Sequence, residues 1–119
     1  MSIAVALDDI PSAIATQIGW CYLLTVSDDG HARVLAVAPT PHDDGTLRFP
    51  VGRGTAANAT ARPSVTLVFP PTDPHAMSLI IDGTATVTSA GPNAGTNAGS
   101  EVSVTPTWAV MHRSAVPPL

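Results

Sequence analysis

The apolar residues of this 119-residue chain fall in short runs, and the runs stop at turn signals. Ser27-Asp28-Asp29-Gly30, Asp43-Asp44-Gly45 and Pro70-Pro71 are the clearest of these. Glycine accepts the positive φ of tight hairpin loops, and proline cannot donate to a central ladder. The chain is therefore predicted to build short strands joined by tight turns. Residues 20–26, apolar on both faces, read as a central strand, and residues 31–38 as its hairpin partner. That partner carries Val34, Ala36 and Ala38 on one face and Arg33, Leu35 and Val37 on the other. Further strands are expected at 46–51, with Leu47, Phe49 and Val51 facing one way, and at 65–69, 77–88 and 101–105. Gly83 inside the fifth reads as a bulge or bend, and residues 106–114 as a strand or a turn of helix.

Ile10, Ile14 and Ile18 recur at helical spacing around Pro11, which predicts a short helix ended by Gly19. Residues 56–62 are predicted as a second helix, stopped by Pro63 and capped by Thr55. The small polar stretch 89–100 is predicted to be a flexible loop. The expectation is one mainly β domain over residues 1–119: a small antiparallel barrel of six strands with one or two short helices.

No apolar run approaches the ~20 residues that a membrane-spanning helix needs, and the start of the chain has no basic segment of the secretory kind. A soluble, cytoplasmic protein is the expectation. The net charge of −4 and the lack of a basic stripe argue against a nucleic-acid partner. Cys21 is the single cysteine and reads as a buried, inert thiol; four scattered histidines offer no close-spaced ligand pair, so no metal is expected. Asp28-Asp29 and Asp43-Asp44 read as turn chemistry. There is no lysine, so any cationic anion-binding side chain must be Arg33, Arg48, Arg53, Arg62 or Arg113. Arg48, alternating with Leu47 and Phe49, is expected to be exposed.

The most informative stretch is Val51-Gly52-Arg53-Gly54-Thr55-Ala56-Ala57-Asn58. A strand ends, two glycines allow close backbone approach, and a helix begins. Bare amides and the positive end of the helix dipole suit an anion there. Arg53 can add a charge-assisted clamp, and Thr55 and Asn58 neutral hydrogen bonds. The same residues also describe an ordinary strand-to-helix turn with a solvated arginine.

In order along the chain, several segments resemble the pyridoxamine 5′-phosphate oxidase-like family of flavin-binding split barrels, the flavin/deazaflavin oxidoreductases. They are Gly19-Trp20-Cys21-Tyr22-Leu23-Leu24-Thr25-Val26, the Asp29-Gly30-His31-Ala32-Arg33 hairpin, Thr46-Leu47-Arg48-Phe49, the Arg53–Asn58 turn followed by Arg62-Pro63-Ser64-Val65, the Asp82-Gly83-Thr84-Ala85 strand, and Pro106-Thr107-Trp108-Ala109-Val110-Met111-His112-Arg113. The resemblance implies a six-stranded Greek-key barrel that pairs into a homodimer with two flavin sites at the interface. FMN or a deazaflavin coenzyme would have its phosphate at Pro50, Val51, Arg53, Thr55 and Asn58 and its ring along Arg33, Val34, Leu35 and Ala36. Trp108 and His112 of the other subunit would close over the ring. Many relatives carry a lysine or arginine near Thr55, which leaves Arg53 to bear the phosphate charge here nearly alone. On composition, Arg33 is equally suited to pair with an acid across its hairpin, and Trp108 to anchor a barrel or a dimer.

The implied activity is an oxidoreductase moving reducing equivalents to or from a small molecule. A non-catalytic carrier or sensor of the same cofactor is the alternative, and a barrel acting only through its dimer surface is a third. Chemistry done on a cofactor ring asks the protein only for positioning and electrostatics.

Overall fold

The computed structural model describes residues 2–89 and 99–115. Eight strands form one antiparallel sheet, accompanied by two helices. In chain order they are β1 (Ser2–Ala4), α1 (Ile10–Ala15), β2 (Cys21–Val26), β3 (Ala32–Val37), β4 (Thr40–Pro41), β5 (Leu47–Val51), α2 (Arg53–Ala61), β6 (Ser64–Phe69), β7 (Met77–Ser89) and β8 (Ser100–Arg113). A single 3₁₀ turn, Leu7–Asp9, leads into α1. The sheet runs β3-β2-β6-β7-β8-β5-β4, with β1 also on β8. No helix among the described residues is long and apolar enough to cross a membrane.

The six expected strands are all present, and the count rises to eight through two very short additions. β1 is three residues paired to the end of β8, and β4 is two residues paired to the start of β5. Neither is long enough to show a period of two, so a sequence pattern cannot reveal them. The predicted sixth strand was too short. β8 continues through Arg113, so the segment 106–114 is strand rather than helix as far as that residue. Most of the expected loop, residues 90–98, lies outside the described residues. Its ends do not: Ser89 and Ser100 face each other as the last pair of the β7–β8 ladder.

The core lies on one face of the curled sheet. Leu23, Leu67, Ile81 and Ala109 form one cross-strand row, and Phe49, Val102 and Val87 another. Ile10 of α1 and Ala56 and Ala59 of α2 complete the buried cluster. α2 presents alanines because it lies close against β2, β7 and β8. The hairpin glycines behave as expected: Gly30 and Gly45 hold φ of 83° and 86°.

Gly83 is a bulge site, and its reason is steric. A Cβ there would sit 2.5 Å from Val104 Cγ1 and 2.7 Å from the Thr105 carbonyl oxygen. Gly83 pairs with Pro106 and Asp82 with Trp108, so Thr107 is the extra residue on β8. We expect Gly83→Ala to lower stability by about 1–3 kcal/mol, the usual effect of overpacking. Urea midpoints with an unchanged m-value would show it; an unaltered midpoint would mean that β8 yields at the bulge.

Candidate functional site

The β5–α2 corner forms because Pro50 and Val51 end a strand whose alternate side chains are buried, and Gly52 turns the chain. Gly52, not Thr55, is the N-cap: it is extended (φ −79°, ψ 179°) and has no side chain to cap the helix. Thr55 is inside the first turn. The helix starts earlier than its alanines suggest because Arg53 and Gly54 already have helical geometry, and a glycine cap leaves the end bare.

That bareness defines the site. The first backbone bond of α2 runs from the Ala56 amide to the Gly52 carbonyl at 3.1 Å. The amides of Arg53, Gly54 and Thr55 precede that bond and are three of the orphan donors of a helix start. A Cβ built on Gly54 meets nothing within 4 Å, so the approach is open. Thr55 and Asn58 are half-buried nearby, Pro50 is exposed and Val51 is buried.

The arginines divide sharply. Arg33 is 3.0 Å from Asp29, Arg48 is 2.7 Å from Asp44, and Arg62 is 2.6 Å from Asp28. Arg53 and Arg113 have no carboxylate partner among the described residues. Arg48 is therefore half-exposed and tethered rather than free, and of the two readings of Arg33 the pair across its own hairpin is the one present. Arg62 also donates through Nε to the Val26 carbonyl at 2.7 Å, tying the end of α2 to the β2–β3 turn. Sequence reasoning missed the links of Arg62 to Val26 and Asp28, which join residues 36 and 34 positions apart with no local signal.

β3 is the edge of the sheet and pairs with β2 alone. Arg33, Val34, Leu35 and Ala36 are all exposed, with Val34 and Ala36 on the outer face. Trp108 and His112 also face outward, on β8; His112 Nδ1 is 2.8 Å from Ser2 Oγ. Val34, Leu24, Thr66, Asp82 and Trp108 form one register row across five strands. At the usual strand spacing Trp108 is roughly 19 Å along the sheet from Val34. One chain thus gathers residues 50–58 at a single corner, but it does not bring Trp108 and His112 onto β3.

The corner suits the anionic end of a nucleotide-like cofactor: three open amides and an uncommitted guanidinium meet at a helix start. The exposed Val34 and Ala36 offer a flat apolar strip. Two hollows of about 310 and 360 Å³ lie elsewhere, the first beside Leu7, Asp8 and His42 and the second beside Asp82 and Thr107; neither includes Arg53.

No family model matches the chain. It is 36% identical over 124 residues to an uncharacterised protein of Mycobacterium bovis, covering 97% of this chain and 80% of that one, and equally to one of Mycobacterium tuberculosis. Among solved structures, a pyridoxamine 5′-phosphate oxidase-related, FMN-binding protein of Nostoc punctiforme superposes with a TM-score of 0.70 at 12% identity, over 94% of this chain and 87% of its own. An F420 reductase matches at 0.64 and 21% identity, over 82% and 94%. The HupZ protein of Group A Streptococcus matches at 0.69 and 13%, over 94% and 100%. The chain shares the split-barrel fold of these solved structures. With the two mycobacterial proteins it also forms one family at the level of sequence.

Within this split barrel Cys21, Asp29 and Asp44 serve the structure. Burial pushes the Cys21 thiol up to about 12, so it stays protonated and unreactive. Asp29 is held below the usual carboxylate range, first by the Ser27 hydroxyl and then by the His31 amide. The Thr46 hydroxyl, the Thr46 amide and Arg48 hold Asp44 down at about 2. A carboxylate with a lowered pKa stabilises the fold above its unfolded value of 3.8 and loses that effect as pH falls toward 2. The stability difference between the native protein and Asp44→Asn should therefore be constant above that window and vanish across it. Urea midpoints taken at stepped pH would measure this, and a difference that persists at the acid end would contradict it.

Proposed function

We infer that the protein is an oxidoreductase that binds FMN or a deazaflavin coenzyme and exchanges reducing equivalents with a small molecule. The observation that carries this reading is the bare start of α2 with the uncommitted Arg53, on a fold shared with an FMN-binding protein and an F420 reductase. Hydride or electron exchange is what the bound cofactor would supply. The chain's own residues would seat and orient it. Arg53 and the three amides would hold the phosphate, with Thr55 and Asn58 adding neutral hydrogen bonds. Pro50 and Val51 would set the height of the corner, while Arg33, Val34, Leu35 and Ala36 would carry the ring along the exposed edge.

Assembly as a homodimer is part of the proposal. The outer face of the sheet exposes Tyr22, Val26, Val34 and Trp108, with Trp20 edge-to-face on Tyr22 at 5.0 Å. The row Ala36, Tyr22, Val68, Ile80, Val110 and Ala4 crosses six strands without a charge. An apolar surface of this breadth asks for a covering partner. A second copy would cover it and bring Trp108 and His112 to a β3 that they do not reach within one chain.

Titration with each cofactor, followed by absorbance and fluorescence, tests the reading. Arg53→Ala should weaken binding about 10- to 150-fold, since a charge-assisted hydrogen bond contributes about 1.5–3 kcal/mol. If neither cofactor binds below about 1 mM, the reading is wrong. Binding without reoxidation by any added acceptor would convert it to that of a carrier. Sedimentation should give a dimer; a monomer at every concentration would remove the closing role of Trp108 and His112.

A further inference from the structure

The corner at Arg53 and the exposed edge of β3 belong to different elements, and they are joined where α2 ends. The Arg62 amide closes the helix on the Asn58 carbonyl at 2.9 Å, and Pro63 follows to stop it. α2 is nine residues long, so this end stands about 14 Å from the open amides. β6 pairs with β2 only at Tyr22, Leu23 and Leu24. The Val26 carbonyl lies past the end of that ladder, and Arg62 Nε donates to it at 2.7 Å. A terminal nitrogen of the same side chain donates to Asp28 Oδ1 at 2.6 Å. One planar guanidinium thus grips both the last residue of β2 and the turn after it.

The turn passes the connection on. Asp28 faces α2, while its neighbour Asp29 accepts from the His31 amide at 3.0 Å and from Arg33 at 3.0 Å. A 2.9 Å backbone bond from the Gly30 amide to the Ser27 carbonyl closes the turn between them. Asp28 has 94% of its side chain exposed and Arg62 36%. Exposed ion pairs contribute little to stability, so the fork does more to fix the spacing of two elements than to hold the fold together.

We propose that Arg62 is a positioning residue: by bracing α2 against the β2–β3 turn, it sets the span between the phosphate corner and the β3 strip. The inference rests on the cofactor reading. A ligand held at two places binds more tightly than its halves, because the second contact is intramolecular, and that advantage depends on a matched span. Arg62 touches neither half. Its loss should therefore weaken the joined ligand and spare the pieces.

The test measures FMN, riboflavin and inorganic phosphate on the native protein and on Arg62→Gln, with the deazaflavin coenzyme and its phosphate-free form as a parallel pair. Arg62→Gln should weaken the cofactor at least about fivefold while the phosphate-free form and inorganic phosphate each stay within about twofold. The urea midpoint should move little. Asp28→Ala should give a smaller loss, because the Val26 bond remains, and adding it to Arg62→Gln should cost nothing more. Native cofactor affinity in Arg62→Gln would overturn the proposal. So would an equal loss for the cofactor and its phosphate-free form, which is what a purely structural role produces. If neither cofactor binds the native protein, the cofactor reading fails and takes this inference with it; tight native binding that Arg62→Gln leaves unmoved sinks this inference alone.

Discussion

Everything else in the molecule hangs on the pairing of β7 with β8. The two strands face each other from Met77–Arg113 to Ser89–Ser100. β8 then serves two partners along its other edge: β5 over Ser100–Val104 and β1 over Val110–His112. Between them is a stretch where β8 has no second neighbour, and Pro106 occupies it. A proline costs a sheet nothing where no ladder bond is owed. The same gap accommodates the Thr107 bulge. A break that would damage a fully paired strand is thus placed where only one side must adjust.

The bulge also decides which residues are inside. On β7 the odd-numbered residues Leu79, Ile81, Ala85 and Val87 face inward without a break. On β8 the inward set changes from Val102 and Val104 to Ala109 and Met111. A shift of one residue exchanges the two faces of a strand. The bulge absorbs that shift, so both halves of β8 serve one core. Gly83 makes it possible, since any side chain there would meet the strand it must lie against.

The same parity change explains what the sequence disclosed and what it hid. Alternation made β5 readable, a run apolar on both faces made β2 readable, the stop at Pro70-Pro71 marked the end of β6, and the glycine turns marked both hairpins. β8 was legible only up to Thr105, because its pattern reverses there and a reader following a period of two must stop. The anion corner was legible as glycines beside an arginine, but its cap was misplaced. Thr55 has the right chemistry, whereas Gly52 has the right backbone, and nothing local distinguishes them. The ion pairs of Arg33 and Arg48 follow from spacing within a hairpin. That of Arg62 depends on how α2 lies across β2, which only the assembled sheet determines. The outward aim of Trp108 was hidden for a related reason: it is set by the bulge opposite Asp82 and Gly83, residues more than 20 positions away.

Charge distribution gives the candidate site its character. With no lysine and only five arginines, each ion pair elsewhere removes a cation from the pool that could hold an anion. Asp28, Asp29 and Asp44 each hold one arginine at a turn, which leaves Arg53 beside the bare end of α2. Asp82, by contrast, is a carboxylate that no arginine of the chain reaches, on an outer face that also carries Arg48, Glu101 and His112. Exposed ion pairs add little to stability, so the tethers of Arg33 and Arg48 matter chiefly for where they leave charge unspent. Arg113 is the other arginine without a carboxylate partner among the described residues, and Arg53 differs from it in standing beside three orphan amides; that conjunction is where this small barrel has polar chemistry left to offer another molecule.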